Sequence, residues 1–319
     1  MSRRKLIVAI GGLTPAHRDA LRAEAESEGF DVTFYKSPAE AMADAADAEV
    51  IFANSPELAG AAPKLRWLCT PSAGYNQYAG PGVFASPEAM LSNSSGAYGV
   101  TLAEHVIMMT LELMRRQKDY SQVVARREWV RNLPVRSICG SRIVVLGTGD
   151  LGQTITRRLR GFDPARIVGV NRSGRNPGNL FDEAQPIAEL DVLLPGCDLL
   201  VMCLPGAPET RHILDGRRMA LLPDGALIIN VGRGASIDEE ALLPELCSGR
   251  LKAGLDVFET EPLPKDSPVW ECPNLLITPH VAGNLTLPYT VDRIVELFLE
   301  DFRRYCAGEP LKRRVDPNR

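Results

Sequence analysis

Short apolar runs alternate with amphipathic stretches along most of the chain. In the first third, these runs have the length of β-strands and cover residues 6–10, 32–35, 50–53, 65–69 and 90–92. The stretches between them, such as residues 16–28 and 38–46, are rich in Ala and Glu and have helical periodicity. Because strands that alternate with helices form parallel sheets, this part of the chain predicts a small βα domain.

The same alternation resumes beyond residue 140 and predicts a second βα unit. Its strand candidates cover residues 143–146, 167–170, 199–203, 227–231, 253–257 and 275–278. Helices are expected near Leu190, Met219 and Glu240, and residues 236–239 (Ser-Ile-Asp-Glu) have the pattern of a capping box at the start of the last of them. The predicted fold class is therefore α/β, with doubly wound parallel sheets.

Two longer helices are predicted on either side of this second unit. Residues 99–119 are apolar around much of the helical circumference and predict one long buried helix. Residues 287–305 predict a final amphipathic helix. A polar, basic tail follows from Lys312, and we expect it to be flexible.

A glycine-rich turn joins the strand at 143–146 to the next helix. Its residues are Gly147, Thr148, Gly149, Asp150, Leu151 and Gly152. In the GxGxxG pattern, the first glycine permits the tight turn, the second lets the backbone approach a pyrophosphate, and the third lets the helix pack closely. The helix N-terminus then binds the phosphates, so this turn predicts a dinucleotide site. Asp150 would bring a negative charge near those phosphates, and we expect its side chain to face solvent.

The end of the next strand indicates which dinucleotide is bound. NAD-binding proteins place a carboxylate there, on the adenosine ribose. Here the strand runs into Asn171, Arg172, Ser173, Gly174 and Arg175, which include no carboxylate. Arginine can bind a 2′-phosphate with two hydrogen bonds, so NADP(H) is the expected cofactor, preferred over NAD(H). The alternative is that these arginines are ordinary solvated residues of a loop.

Composition and charge exclude several other classes of protein. Of 319 residues, 45% are hydrophobic and 24% are charged, and 36 basic against 40 acidic side chains give a net charge of −4, which disfavours nucleic acid or an anionic membrane as partner. The seven cysteines are scattered, without a CxxC pair or a nearby histidine at metal-ligand spacing, so we expect reduced thiols and no metal site. No apolar run approaches the roughly 20 residues that span a bilayer. The expected location is the cytoplasm.

Charged side chains lie at the ends of three predicted strands of the second unit. Arg233 follows the strand at 227–231, Asp256 and Glu261 lie at or after the end of the strand at 253–257, and His280 follows the strand at 275–278. Open α/β sheets bind ligands at this edge. Taken singly, Arg233 would equally be a turn residue, Glu259 and Glu261 would be solvated charges beside Pro262, and His280 would cap a loop. As an ordered set at strand ends they predict a reacting site.

The other three histidines are weaker candidates for chemistry. His17 and His212 fall near predicted helix starts and would cap them. His105 lies on the long buried helix, and we interpret it as a core or interface residue.

Four segments taken together resemble the D-2-hydroxyacid dehydrogenase family, and the resemblance runs over nearly the whole chain. They read GTGDLG (147–152), NVGRG (230–234), GLDVFETEP (254–262) and TPHVAG (278–283). Residues 72–75 and 103–105 extend the similarity. The resemblance implies two Rossmann-like βα domains, with a coenzyme domain at residues 98–286 inserted into a flavodoxin-like substrate domain formed by residues 1–97 and 287–319.

The resemblance also implies a role for individual residues. Arg233 would bind the substrate carboxylate and polarise the keto oxygen, and His280, paired with Glu261, would be the general acid of reduction and the general base of oxidation. Asp256 would support the nicotinamide. The backbone of one loop would hold the substrate carboxylate, namely Ser72, Ala73, Gly74 and Tyr75. Further cofactor contacts are expected at Leu204, Pro205, Val231, Gly232 and Gly283.

The expected function is NADPH-dependent, reversible reduction of a small 2-oxo acid, such as glyoxylate or hydroxypyruvate, to the D-2-hydroxy acid. A larger aliphatic or aromatic 2-oxo acid is also compatible with the sequence. The family implies a homodimer formed around the coenzyme domain. The alternative from a different class is a nucleotide-sensing protein like the C-terminal-binding corepressors, which share the fold.

Overall fold

The structure, a computed structural model, describes residues 4–317 and divides the chain into two compact units. The terminal unit consists of Met1–Tyr98 and Asn284–Arg319, and the central unit consists of Gly99–Gly283. The central unit is thus inserted into the terminal unit along the chain. The sequence placed the two boundaries after residues 97 and 286, and residues 1–3 and 318–319 of the expected substrate domain lie outside the described residues.

Thirteen strands and ten α-helices make up the described chain. The strands are β1 Arg4–Ala9, β2 Phe30–Phe34, β3 Val50–Ala53, β4 Trp67–Cys69, β5 Met90–Ser92, β6 Arg142–Leu146, β7 Arg166–Asn171, β8 Glu183–Pro186, β9 Leu199–Met202, β10 Leu227–Asn230, β11 Lys252–Leu255, β12 Leu275–Ile277 and β13 Arg314–Val315. The helices are α1 Pro15–Ser27, α2 Pro38–Ala41, α3 Pro56–Gly60, α4 Gly99–Met114, α5 Gln117–Ala125, α6 Asp150–Leu159, α7 Leu190–Leu193, α8 Gly216–Met219, α9 Glu239–Cys247 and α10 Pro288–Cys306.

The terminal unit is built on a six-stranded sheet in the order β13-β5-β4-β3-β1-β2. Strands β1 to β5 pair in parallel, and β13 pairs antiparallel with β5 at the edge. The order 2-1-3-4-5 is that of flavodoxin-like folds.

Helix α10 supplies much of the core of the terminal unit. Phe298 stacks on Phe52 and Trp67, with ring centroids 4.1 and 5.1 Å apart, and Phe302 contacts Phe30 edge-on at 5.1 Å. These rings are fully or almost fully buried. The segment after the insertion is therefore needed to complete the core of this unit.

The central unit is built on a seven-stranded, fully parallel sheet in the order β12-β11-β10-β9-β6-β7-β8. Counted from β6 as strand 1, this is the dinucleotide-binding order 3-2-1-4-5-6 with one added strand. Successive strands are added first on one side of β6 and then, from β9 onward, on its other side, so the strand order reverses between β6 and β9. Ligands of such sheets bind at the carboxyl ends of the strands beside that reversal. The glycine turn after β6 lies at this point, and the predicted α/β class with two parallel Rossmann-like sheets is confirmed.

Two local predictions were wrong, and two strands were not predicted. Residues 99–119 form two helices, because the apolar pattern ends at Met114 and Arg116 takes a left-handed conformation (φ 58°) between α4 and α5. Helix α9 is capped by Asp238, whose side chain accepts the amide hydrogen of Ala241, and the predicted cap Ser236 lies in a preceding 3₁₀ turn. The edge strands β8 and β13 were missed, because neither has an apolar run.

The tail was also expected to be flexible from Lys312, and instead it is anchored. The Asp301 carboxylate on α10 is 1% exposed, accepts the Lys312 amide at 2.8 Å and lies 3.3 Å from the Arg313 guanidinium. A buried carboxylate needs such partners, since it is costly to leave one unpaired. The tail is thereby held at Lys312 and Arg313, and the next two residues pair with β5 as β13.

Candidate functional site

Two glycines of the turn after β6 are required by the backbone around them. Gly147 has φ 106°, and a Cβ atom there would lie 2.9 Å from the carbonyl oxygen of Cys203. A Cβ atom on Gly152 would lie 2.0 Å from the carbonyl oxygen of Gly147. No side chain can be accommodated at either position without moving backbone.

Gly149 differs from these two glycines, because a Cβ atom there would meet nothing within 4 Å. It is exposed and forms the N-cap of α6, and no side chain caps the first turn of that helix. The amide hydrogens of this turn can therefore bind an anion, which the helix dipole also favours. The open, uncapped turn fits the pyrophosphate of a dinucleotide.

Asp150 is exposed, as expected, and is the first residue of α6. A carboxylate in the first turn interacts favourably with the helix dipole. This gives Asp150 a role in helix stability. Its neighbours differ in exposure, since Thr148 is buried and Leu151 is half-buried against the core.

The Cys203 thiol, which follows β9, forms a hydrogen bond to the backbone of the glycine turn. Its Sγ donates to the carbonyl oxygen of Gly147 at 3.1 Å. Desolvation raises the pKa of this thiol to about 12, so it remains a protonated donor. The next residues along the chain, Leu204 and Pro205, are buried and exposed respectively.

Asn171 organises the loop after β7. Its Nδ2 donates to Thr148 Oγ1 at 2.7 Å and to the Arg175 carbonyl oxygen at 2.8 Å, while its Oδ1 accepts the Ser173 amide at 2.9 Å. Arg172 and Arg175 are exposed, and neither guanidinium has an ion-pair partner within residues 4–317. Two cationic side chains are thus available beside the glycine turn.

Asn230, at the end of β10, fixes the loop that carries Arg233. Its buried Nδ2 donates to the Arg233 carbonyl oxygen at 2.9 Å, and its Oδ1 accepts the Gly232 amide at 3.0 Å. The Arg233 side chain is half-buried and donates from Nη1 to the Gly232 carbonyl oxygen at 2.7 Å. The loop follows the buried Val231.

Close backbone contacts hold this loop against its neighbours. A Cβ atom on Gly232 would lie 2.7 Å from the Leu204 carbonyl oxygen, and one on Gly234 would lie 1.8 Å from the Phe258 carbonyl carbon. The arginine loop therefore packs directly on the loops that follow β9 and β11.

His280 and Glu261 form a hydrogen-bonded pair. His280 Nδ1 lies 2.6 Å from Glu261 Oε2, and the Phe258 amide donates to Glu261 Oε1 at 2.9 Å. The imidazole is 53% exposed, which leaves its other nitrogen accessible to a ligand. His280 has φ 52°, in the left-handed region that is uncommon for residues other than glycine.

Glu259 belongs to a separate set of contacts. It pairs with His212, lies 3.2 Å from the Arg211 guanidinium, and its amide donates to Glu239 Oε1 at 2.6 Å. Burial raises the pKa of Glu239. Of the two glutamates near Pro262, only Glu261 is bonded to His280.

Asp256 holds the turn that presents His280. The Asp256 carboxylate is 1% exposed and accepts the Thr278 hydroxyl at 2.6 Å and the amides of Val281 and Ala282 at 2.9 and 3.1 Å. The His280 amide donates to the Asp256 carbonyl oxygen at 2.9 Å. Gly283 then ends the central unit.

Three residues of these networks were not identified as site residues from the sequence. Asn230 and Thr278 lie inside segments that carried the family resemblance, which is the only signal that could have indicated them. His105 was interpreted as a core or interface residue, and its Nε2 lies 2.9 Å from Thr278 Oγ1. Among the other histidines, His17 participates in the cap of α1, as predicted.

The loop with Ser72, Ala73, Gly74 and Tyr75 lies in the terminal unit. Its acceptors are used internally: Asn93 Nδ2 donates to the Ala73 carbonyl oxygen at 2.7 Å, and Ser72 Oγ donates to that of Gly74 at 2.6 Å. The amides of residues 73–75 have no hydrogen-bond acceptor in the part of the chain that the structure describes. They remain available to an anionic group.

The central unit therefore combines an anion-binding helix terminus, a positioned arginine and an accessible histidine with a carboxylate partner. Such a set can bind a dinucleotide and move a proton to or from a bound group. Within residues 4–317, no three His, Cys, Asp or Glu side chains are grouped so as to hold a metal ion. In the same range, no helix has the length and hydrophobicity needed to cross a bilayer.

Comparison with known proteins adds a family match. The family model described as D-isomer specific 2-hydroxyacid dehydrogenase, NAD binding domain, matches residues 107–282. Glyoxylate/hydroxypyruvate reductase A of Klebsiella pneumoniae (strain 342) is 34% identical over 224 residues, which cover 69% of each chain.

Two crystal structures are similar over almost the whole chain. A D-isomer specific 2-hydroxyacid dehydrogenase family protein from Aeromonas salmonicida superposes with a TM-score of 0.87 at 32% identity, over 99% of this chain and 100% of that one. The NADPH-dependent glyoxylate/hydroxypyruvate reductase of Sinorhizobium meliloti, in complex with NADP and sulfate, has a TM-score of 0.82 at 29% identity, over 99% of both chains.

Proposed function

This chain belongs to the D-isomer specific 2-hydroxyacid dehydrogenase family and is an NAD(P)-dependent oxidoreductase, and on that basis we propose that it reduces a small 2-oxo acid with NADPH. The substrate class that we propose is that of glyoxylate and hydroxypyruvate, and the product is the D-2-hydroxy acid. The observation that carries the proposal is the bonded pair of Glu261 and the exposed His280 at the carboxyl edge of the sheet.

The proposed proton donor is His280. Because Glu261 is bonded to Nδ1, the nitrogen left for the keto oxygen is Nε2. A nicotinamide cofactor, when bound, would supply the hydride. His280 would protonate the oxygen in reduction and take the proton back in oxidation. Glu261 keeps the ring oriented throughout.

Two groups are proposed to bind the substrate. The Arg233 guanidinium stays charged at all working pH values, so it can hold the carboxylate and polarise the keto oxygen. The backbone amides of Ala73, Gly74 and Tyr75 are proposed as further donors to the carboxylate. Their lack of internal acceptors within residues 4–317 supports this role.

The proposed cofactor preference rests on the loop after β7. Asn171 takes the place of the ribose-binding carboxylate, and its amide is already used within the loop. The exposed Arg172 would pair with the 2′-phosphate of NADPH, assisted by Ser173. The relative from Sinorhizobium meliloti, which has NADP bound, supports the same choice.

The proposed partner is a second copy of this chain. The family resemblance implies a dimer around the coenzyme domain, and that unit carries exposed apolar side chains outside its core. Val124 is 70% exposed and Trp129 is 89% exposed. Large apolar side chains this exposed within one chain are available to pack against a partner.

The proposed location is the cytoplasm. All seven cysteines are free thiols, and four of them are at least partly accessible, namely Cys139, Cys203, Cys247 and Cys306. Accessible unpaired thiols are typical of a reducing compartment.

A panel of 2-oxo acids followed at the absorbance of the reduced nicotinamide tests the function. We expect turnover of glyoxylate and hydroxypyruvate, with higher kcat/KM for NADPH than for NADH. His280→Ala should lower kcat by about 100-fold or more, because the proton donor is lost. Glu261→Gln should lower kcat as well, and its matched control Glu259→Gln should not, because Glu259 pairs with His212.

Each contrary result has a definite meaning. If no 2-oxo acid is turned over while NADPH still binds, the protein is a nucleotide sensor. If His280→Ala keeps wild-type turnover, the proposed proton donor is wrong. Equal efficiency with NADH and NADPH would rule out the cofactor preference.

A further inference from the structure

Three polar side chains form a hydrogen-bonded network from helix α4 to the turn that carries His280. His105 Nε2 lies 2.9 Å from Thr278 Oγ1, and Thr278 Oγ1 lies 2.6 Å from Asp256 Oδ1. We propose that His105 and Thr278 are positioning residues, which hold His280 in its reactive position by acting through the Asp256 carboxylate. This inference rests on the proposed role of His280 and extends it to residues that do not touch the reacting groups.

The hydrogen bonds of this network can have only one direction. A carboxylate can only accept, so the single hydroxyl hydrogen of Thr278 is directed to Asp256. Thr278 Oγ1 must then accept from His105, whose Nε2 carries a hydrogen. Burial lowers the pKa of His105 against the opposing effects of Asp256 and Glu112, so the imidazole is neutral near pH 7. His105 is therefore the neutral tautomer with hydrogen on Nε2.

This network determines the orientation of the Asp256 carboxylate oxygens. Oδ1 also accepts the Val281 amide at 2.9 Å, and Oδ2 accepts the Ala282 amide at 3.1 Å. Without the Thr278 hydroxyl, the carboxylate would lose one of these three hydrogen bonds, and its rotation about the Cα–Cβ and Cβ–Cγ bonds would be less restricted. The two amides that follow His280 would then lose their fixed acceptor.

His280 depends on that acceptor because of its own backbone. Its φ of 52° is strained for a residue with a side chain, and such a conformation persists only where the surroundings enforce it. The contacts that hold this turn include the bonds of residues 280–282 to Asp256. When they loosen, the turn can relax and move the imidazole away from its fixed position.

Two matched pairs of variants test this proposal. Thr278→Val keeps the shape of the side chain and removes the hydroxyl, whereas Thr278→Ser keeps the hydroxyl. His105→Leu removes the donor, whereas His105→Gln keeps an N–H group near the position of Nε2. Thr110→Val is the control, because Thr110 is a fully buried threonine of α4 whose hydroxyl donates to the Val106 carbonyl oxygen of the same helix.

Two measurements are made on each purified variant: steady-state kinetics with NADPH and the best 2-oxo acid, and amide hydrogen exchange of Val281 and Ala282 by NMR. In Thr278→Val and His105→Leu we expect kcat to fall about 10- to 100-fold, as for other small displacements of a catalytic group. NADPH affinity should change little, and exchange at the two amides should accelerate. Thr278→Ser, His105→Gln and Thr110→Val should stay close to wild type in both measurements.

The exchange measurement separates this inference from the proposed function. If the wild type turns over no 2-oxo acid but the exchange pattern is as expected, the positioning network stands and the proposed function fails. If the wild type is active and Thr278→Val or His105→Leu keeps its kcat and its slow exchange, the positioning role is refuted. A loss of kcat in Thr110→Val equal to that in Thr278→Val would also refute it, because the effect would be general destabilisation.

Discussion

The loops that carry the proposed site residues of the central unit are each held by a neighbouring polar residue that is not proposed to react. Asn230 fixes the Arg233 loop, Asp256 fixes the His280 turn, and Asn171 fixes the loop of Arg172. These supporting residues are buried or half-buried and use all or most of their hydrogen-bonding capacity. Preorganisation of this kind keeps charged groups directed at the position of a ligand before it arrives.

The residues proposed to react were identified from sequence motifs, whereas most of the residues that support them were not. Arg233, Glu261 and His280 lie in ordered motifs at strand ends, where parallel sheets bind ligands. His105 contacts Thr278 across 173 positions of sequence. A contact of that separation depends on how helix α4 packs against β10 and β11, and no local pattern encodes it.

Arg172 is the residue at which cofactor choice can be tested. Arg172→Ala should lower kcat/KM for NADPH about 10- to 100-fold, because a hydrogen bond to a charged group is worth roughly 1.5–3 kcal/mol. The value for NADH should hardly change, because NADH has no 2′-phosphate. The measurement is the ratio of kcat/KM for the two cofactors. Arg217→Ala, which removes a surface arginine that pairs with Asp191, is the matched control. An equal loss with both cofactors would show that Arg172 acts on the stability of the loop.

At the scale of elements, burial explains which strands the sequence could predict. All predicted strands are present, and β3, β6, β9 and β10 are buried almost throughout and read as apolar runs. Strand β8 has the sequence EAQP, lies at the sheet edge and is half-buried. It forms because β7 offers unpaired backbone groups, which a hydrophobic pattern cannot show.

Two glycines of the turn before α6 are expected to respond differently to substitution by alanine, one in stability and the other in NADPH binding. Gly152→Ala should lower the free energy of unfolding by about 1–3 kcal/mol or more, because its Cβ meets backbone. Gly149→Ala should leave the unfolding free energy nearly unchanged and weaken NADPH binding, because its Cβ enters the open space over the helix N-terminus. Thermal unfolding and NADPH titration, each done on both variants, make the comparison. Normal NADPH affinity in a folded Gly149→Ala protein would mean that the pyrophosphate binds elsewhere.

At the scale of the whole molecule, the chain leaves the terminal unit after Tyr98 and returns to it at Asn284. Composition and periodicity gave no sign of this insertion, because both parts alternate strands and helices in the same way. The resemblance to a family supplied it. The physical reason for the return is the core of the terminal unit, in which Phe298 and Phe302 of α10 pack on rings contributed by β2, β3 and β4.

The proposed dimer is a property of the whole molecule, and it can be tested by substituting a single exposed residue. Trp129 is 89% exposed within one chain, and a tryptophan that is buried on association commonly contributes 2 kcal/mol or more, which corresponds to about a 30-fold change in the dissociation constant. Trp129→Ser should therefore weaken self-association by about that factor or more, as measured by sedimentation equilibrium over a range of protein concentrations. Val192→Ser is the matched control, because Val192 is 75% exposed on α7 and should not affect association if the surface around Trp129 is the one that is buried. A wild-type protein that sediments as a monomer at all concentrations would refute the dimer itself. A Trp129→Ser variant that associates as tightly as wild type would place the interface on another surface.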